Sequence, residues 1–382
     1  MSKPDAAIDQ IFQNARALQQ SGDQQGALNL YQAIMRQSPD HVATLLELSM
    51  ICLGIGRNDT ADALTRRAMQ LAPHEITTLI NRGVVLYELG DLDGAIHHYR
   101  QGVALDPELP ELHYNLGKAL EDQNQLFDAL EAIHQALKLR PAFPEALNQM
   151  GNLLLRLNRP EEALLALRAA IELRPNFPPG HYNEGLVLLL TGDLQTGWEK
   201  YEHRWHHAGL AHAKQSHPQP EWDGKASLDG QRLLLYGEQG LGDMLQFIRY
   251  VPRLAKQGAT VILESPASLC TLFKSIEGLA EITRKGSPPP AFDLHFPLLS
   301  LPHAFGTTLE SIPATVPYLA PPVETIDNWR RRLGNHDEIR VGVVWSGNPQ
   351  HHNDRNRSLP LRELGPLLDL EGFRFFSLQK EV

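Results

Sequence analysis

A single carboxylate stands inside a run of glycines in this chain. Residues 233–247 read LLLYGEQGLGDMLQF, with Asp243 following Gly237, Gly240 and Gly242. Leu233, Leu234 and Leu235 make the short continuous apolar run of a strand covered on both faces, and Leu245, Ile248 and Val251 then recur at helical spacing. Strand, tight turn and helix in that order place the turn at the carboxyl end of a parallel sheet, where open α/β folds bind ligands. The order G-x-x-G-x-G is neither the G-x-G-x-x-G of a dinucleotide loop nor a P-loop with its GK[ST]. A carboxylate at a helix N-terminus is itself stabilised there and repels a phosphate competing for the same donors. The turn is therefore expected to face an acceptor hydroxyl, with Glu238, Gln239, Gly240 and Gly242 beside Asp243. The plainer role for Asp243, compatible with the first, is to cap its helix, worth about 1 kcal/mol.

A second loop carries the opposite charge. Residues 346–358, SGNPQHHNDRNRS, follow an expected buried strand at 339–345 and bring Ser346, Asn348, Asn353, Arg355, Arg357 and Ser358 to its carboxyl end. Arginine offers paired donors to phosphate oxygens, so the loop suits a diphosphate; the alternative is a solvated loop. Asp293 and His295, in FDLHFPLLSLP, stand near another strand end and line either the acceptor side or an ordinary loop.

The elements around these residues alternate. Strands are expected at 260–264, 281–283 and 292–294 with a helical stretch at 269–276 between the first two, the pattern of a Rossmann-like half. A proline-rich crossing leads to an amphipathic helix near Trp329, then to the strand at 339–345 and a last one in FRFFSLQ. Residues 340–382 supply barely two strands of a second half, so the chain is expected to be a fragment whose second half is incomplete and which is inactive alone.

The first two hundred residues differ entirely. Prolines recur every 34 residues at 39, 73, 107, 141 and 175, the period of a tetratricopeptide helix pair. Gly22, Gly56, Gly90, Asn124, Asn158 and Gly192 keep the same period and are residue types that tolerate the left-handed conformation needed between two helices. Ala27, Ala61, Ala95, Ala129 and Ala163 allow the paired helices to approach. Six repeats are expected at about 8–41, 42–75, 76–109, 110–143, 144–177 and 178–211. The last is altered: Gly197 replaces the alanine, and GWEKYEHRW carries Trp198, Tyr201 and Trp205 as an aromatic stripe suited to packing on the following domain. Asn81, Asn115, Gln149 and Asn183 form a row along the concave surface, either a peptide-binding ladder or ordinary helix-packing amides.

The domains are thus expected at 1–211, a linker at 212–231, a first α/β half at 232–325, and a connecting helix with the start of a second half at 326–382. His203, His206, His207, His212 and His217 crowd around the linker without the spacing of a zinc site, so exposed histidines and no metal are expected. A net charge of -10 argues against nucleic acid as a partner. Two cysteines, Cys52 and Cys270, exclude a disulfide framework and favour the cytoplasm, and the chain lacks a secretory signal or a bilayer-length apolar run.

Two α/β halves joined by a linker are the outline of a GT-B glycosyltransferase. GEQGLGDMLQFIRYVPRL resembles the start of glycosyltransferase family 9, the heptosyltransferases, and with GWEKYEHRW before it and VGVVWSGNPQHHNDRNRSLPL after it the chain resembles bacterial tetratricopeptide-linked glycosyltransferases. The layout is more distantly similar to O-linked N-acetylglucosamine transferases. The resemblance implies sugar transfer from a nucleotide-diphosphate donor to a protein or glycan, without metal or other cofactor. In it Asp243 matches the aspartate that takes the acceptor proton, residues 346–358 face the donor diphosphate, and the repeats recruit the acceptor or a partner. The competing expectation is a non-catalytic interaction scaffold with a degenerate α/β part.

Overall fold

The computed structural model of the chain describes residues 3–207, 209–334, 337–349 and 354–380. It divides into two units, one of residues 1–265 and 278–314, the other of 266–277 and 315–382.

The first unit begins with helix pairs: α1 (Lys3–Gln20) and α2 (Gln24–Gln37), α3 (Val42–Gly54) and α4 (Asn58–Leu71), α5 (Ile76–Glu88) and α6 (Leu92–Leu105). They continue with α7 (Pro110–Asp122) and α8 (Leu126–Leu139), α9 (Pro144–Arg156) and α10 (Pro160–Leu173), α11 (Pro178–Thr191) and the shorter α12 (Leu194–Tyr201). The periodic residues explain the punctuation. All six of the turn series take positive φ, from 57° at Asn158 to 92° at Gly22 and Gly192, so the first helix of each pair stops there. The five prolines each follow the cap of a second helix, where they block its continuation. The five alanines are fully buried. In the altered repeat the approach is closer still. A Cβ on Gly185 would lie 2.9 Å from the backbone nitrogen of Tyr201, and one on Gly197 2.8 Å from Leu189.

After α12 the chain tightens into a 3-10 turn, Glu202–His206, and crosses to a four-stranded parallel sheet. Its strands are β1 (Arg232–Tyr236), β2 (Thr260–Ser265), β3 (Leu279–Arg284) and β4 (Leu294–Pro297), in the order β3-β2-β1-β4. Leu233, Leu234, Leu235, Val261, Ile262 and Leu263 are fully buried, as a doubly covered parallel sheet requires. Helices α13 (Leu241–Phe247) and α14 (Val251–Lys256) connect β1 to β2. Because the chain moves outward from β1 through β2 to β3 and then returns to place β4 on the other side, the strand order reverses at β1.

The second unit contains α15 (Ala267–Phe273), α16 (Val323–Leu333) and a parallel pair, β5 (Ile339–Val343) and β6 (Phe373–Ser377), in register from Ile339 with Phe373 to Val343 with Ser377. The expectation of a buried strand at 339–345 is corrected here: Ile339 and Val344 are 61% exposed. The strand has one neighbour, and among the described residues neither β5 nor β6 presents a fully covered face. Helix α16 is likewise without buried residues. Among the described residues no helix is long and apolar enough to cross a membrane.

Candidate functional site

The strand order reverses at β1, so the carboxyl ends of β1 and β4 are the position at which open α/β sheets hold ligands. The loops leaving those two strands begin with Gly237 and Leu298. Between them lies a side chain from the end of the helical array. Arg204, entirely buried, donates from Nη2 to Glu238 Oε1 at 2.9 Å and to Ser300 Oγ at 2.6 Å. Its Nη1 donates to Glu202 Oε1 at 2.6 Å, and Ser300 Oγ donates in turn to Glu202 Oε2 at 2.9 Å. The guanidinium stacks 4.1 Å from the Trp205 ring. Burial acts to depress Arg204, but Glu202 and Glu238 outweigh it and raise its pKa, so the cation is held firmly.

Glu238 is thus buried as an ion-pair partner of Arg204. Its neighbour Gln239 also reaches back to the array, donating to Tyr201 Oη at 2.5 Å. Trp198 meets Phe247 of α13 edge to face at 5.5 Å. The aromatic stripe of the last repeat is thus the join to the sheet, as its composition implied, but its central charged residue was missed. The available signal was one arginine between Tyr201 and Trp205 on an otherwise apolar helical face.

Asp243 is half-buried at the third position of α13, where its Oδ2 accepts from the Gly240 N–H at 2.9 Å. Capping is thus the role the geometry displays. The other carboxylate oxygen keeps acceptor capacity, and Gly240 and Gly242 beside it are exposed. Asp293 is elsewhere. The strand expected at 292–294 is β4 at Leu294–Pro297, so Asp293 precedes it and lies at the amino end of the sheet, accepting from the Arg232 N–H at 2.8 Å. Successive parallel strands begin at the same edge, hence Asp293 cannot share a site with Asp243.

His295 lies within β4, only 4% exposed. It shares a sheet face with Tyr236 and Glu264 and contacts His217 at 4.8 Å between ring centroids. Burial, then His217, lowers its pKa. The linker histidines therefore do not all face solvent: His206, His207 and His212 do, while His203 stacks on His181 at 4.4 Å and His217 covers His295. Among the described residues no cluster of three or more His, Cys, Asp or Glu side chains is placed to hold a metal.

In the second unit the loop after β5 closes on itself. Ser358 Oγ accepts from the Gly347 N–H at 2.9 Å and donates to Asp354 Oδ1 at 2.7 Å, so Ser358 is occupied and an acid sits among the arginines. Gln379 bridges the Ser346 backbone, accepting its N–H at 3.0 Å and donating to its carbonyl at 3.1 Å. Asn348 and Arg357 are exposed on the loop. Arg355 belongs to a short 3-10 turn, and Asn353 lies outside the described residues.

Along the array, the carboxamide row is only partly available. Asn81 donates to the Thr77 carbonyl of its own helix at 2.8 Å, Gln149 donates to Glu121, and Asn183 donates to Asn148 at 2.9 Å. Glu121 is also held by Arg156 at 3.1 Å. Among the described residues the Asn115 carboxamide shows no hydrogen-bond partner. One turn further along the same helix, the Lys118 ammonium lies 4.9 Å from the Tyr87 ring and 5.9 Å from the Tyr114 ring.

Comparison with known proteins decides the first half. Residues 83–124 match a model of the TPR repeat, and residues 114–178 and 148–197 one of the tetratricopeptide repeat. The array is a tetratricopeptide solenoid. Protein FlbA of Caulobacter vibrioides is 24% identical over 212 residues, a match that spans 50% of this chain and 35% of FlbA. The chain therefore covers about a third of that relative's length. Among solved structures, PilW, described as a widely conserved type IV pilus biogenesis factor, covers 53% of this chain and 93% of its own at 16% identity and a TM-score of 0.49. PilF of Pseudomonas aeruginosa covers 55% and 95% at 18% identity and a TM-score of 0.47. The glycosyltransferase resemblance finds no counterpart in these matches.

Proposed function

We propose that the chain is a protein-binding scaffold whose tetratricopeptide array receives an extended segment of a partner polypeptide, with the parallel sheet as a second module braced on the end of the array. The observation that carries this is the middle of the A-helix row, where Asn115 retains a donor and an acceptor and Lys118 is held over two tyrosine rings. A carboxamide can pair with both groups of a peptide backbone, and a cation on aromatic faces is presented at a fixed place. Selection of a displayed peptide library on the full chain tests it. Selected peptides should lose at least tenfold in affinity with Asn115→Ala plus Lys118→Ala and little with Asn81→Ala, whose amide is already spent on its own helix. Peptides indifferent to all three substitutions would place binding elsewhere.

A second function, transfer of a sugar from a nucleotide-diphosphate donor to a protein or glycan, is favoured by one feature: an acidic residue with acceptor capacity, Asp243, in the turn after the strand at which the sheet order reverses. In that case Asp243 takes the acceptor proton. Nucleotide-sugar hydrolysis or transfer by the full chain that vanishes with Asp243→Asn would support it; equal turnover by the two proteins would remove it.

A further inference from the structure

The segment between the array and the sheet is built as an extended strap. From 213 to 220 its residues alternate, with Ala213, Gln215, His217 and Gln219 half-buried and Lys214, Ser216, Pro218 and Pro220 exposed. Gln215 and His217 lie on one face of the sheet, against Glu264, Tyr236 and His295. Gln215 donates to Glu264 Oε1 at 3.1 Å, and its carboxamide oxygen pairs with His217 Nε2 at 2.9 Å. The His217 ring contacts His295 at 4.8 Å and Tyr236 at 6.5 Å. Downstream the strap is anchored on β4, where the His295 N–H donates to the Pro220 carbonyl at 3.2 Å and the Trp222 N–H to the His295 carbonyl at 2.9 Å.

A strap that buries small and polar side chains gains little from the hydrophobic effect, so its hold depends on these polar contacts. The surface beneath it is itself polar: the Gln215 backbone acts on the buried Tyr236 hydroxyl and the Gln219 backbone on the His295 ring. Other charges facing the pair are Lys214 and Glu221, which are bound to each other at 3.2 Å, and Glu264, which is engaged by Gln215. Burial, His217 and Lys214 disfavour a charged His295 and together outweigh Glu221 and the Gln219 backbone, which favour it.

We propose that residues 213–219 are a releasable strap, closed over Tyr236, Glu264 and His295 at neutral pH and lifted when the His217–His295 contact becomes charged in acid, hinging at the anchored residues 220–222. Lifting uncovers a polar sheet face that the closed form hides. Hydroxyl-radical footprinting of the full chain at pH 7.5 and pH 5.5 reads this directly, because Tyr236 is fully buried under the strap while Met244 and Tyr99 are buried in the sheet layer and the array. Tyr236 should oxidise at least fivefold faster at the lower pH, with Met244 and Tyr99 unchanged. In His217→Gln, which keeps a hydrogen-bonding side chain but cannot be charged, Tyr236 should stay protected at both pH values. The proposal is overturned by a Tyr236 protected at both pH values in the wild type, by joint exposure of Tyr236 and Met244, which marks unfolding of the sheet, or by a His217→Gln protein that responds like the wild type.

Discussion

Arg204 and Glu238 meet at 2.9 Å with 0% and 1% of their side chains exposed, and they belong to different modules: the last turn of the helical array and the glycine-rich turn of the sheet. Removing one partner of a buried pair leaves the other charge uncompensated and costs about 3–5 kcal/mol, whereas replacing both by apolar groups is often nearly neutral. Arg204→Met should therefore lower stability by that amount in urea unfolding followed through Trp198, Trp205 and Trp222. The double variant Arg204→Met, Glu238→Leu should recover much of it. A single variant as stable as the wild type would show that the pair does not join the modules.

The capping role of Asp243 separates from any chemistry it performs. Asparagine still accepts the Gly240 N–H, so Asp243→Asn should unfold within about 0.5 kcal/mol of the wild type, while Asp243→Ala should cost about 1 kcal/mol. Thermal denaturation of the two variants compares them. Any sugar transfer must disappear in both.

Backbone conformation sets a third expectation. Asn158 holds φ at 57°, where a side chain with a Cβ and no local polar compensation costs about 1–2 kcal/mol. Asn158→Ala should destabilise the array by about that much and Asn158→Gly should be close to neutral, as measured by loss of helical circular dichroism on heating.

Acid should weaken the fold. Burial is the first cause lowering the pKa of His98, His203 and His295, so the unfolded chain takes up these protons at a higher pH than the folded one. Stability is then greatest above the ordinary histidine value, falls as pH drops through about 6.5, and levels once the folded histidines are themselves protonated. His295, the most enclosed, should contribute most. The urea midpoint should fall between pH 7.5 and pH 5.5, and by less in His295→Gln; an unchanged midpoint in the wild type would contradict the histidine account.

What the sequence disclosed depended on how local the cause was. The 34-residue proline period, the left-handed Gly and Asn series and the buried alanines act within one repeat, so the array is legible in the sequence. The strand, turn and helix around residues 232–247 were legible for the same reason. Asp293 failed because a two-residue shift in the start of β4 moves a side chain from one edge of a parallel sheet to the other. Arg204 was not foreseen because its partners are 34 and 96 residues away. The strap reads as a plain linker in the sequence because its half-buried residues, Ala213, Gln215, His217 and Gln219, are mostly polar. Whether a carboxamide of the row is engaged, as in Asn81, Gln149 and Asn183, or shows no partner among the described residues, as in Asn115, depends on which neighbours it reaches.

The most direct measurement of the scaffold is hydrogen exchange of the full chain with and without a selected peptide. Protection should rise in α5, α7 and α9, the helices that carry Tyr87, Asn115, Lys118 and Gln149. Protection confined to α6, α8 and α10, or to residues 232–300 alone, would contradict binding along the A-helix row.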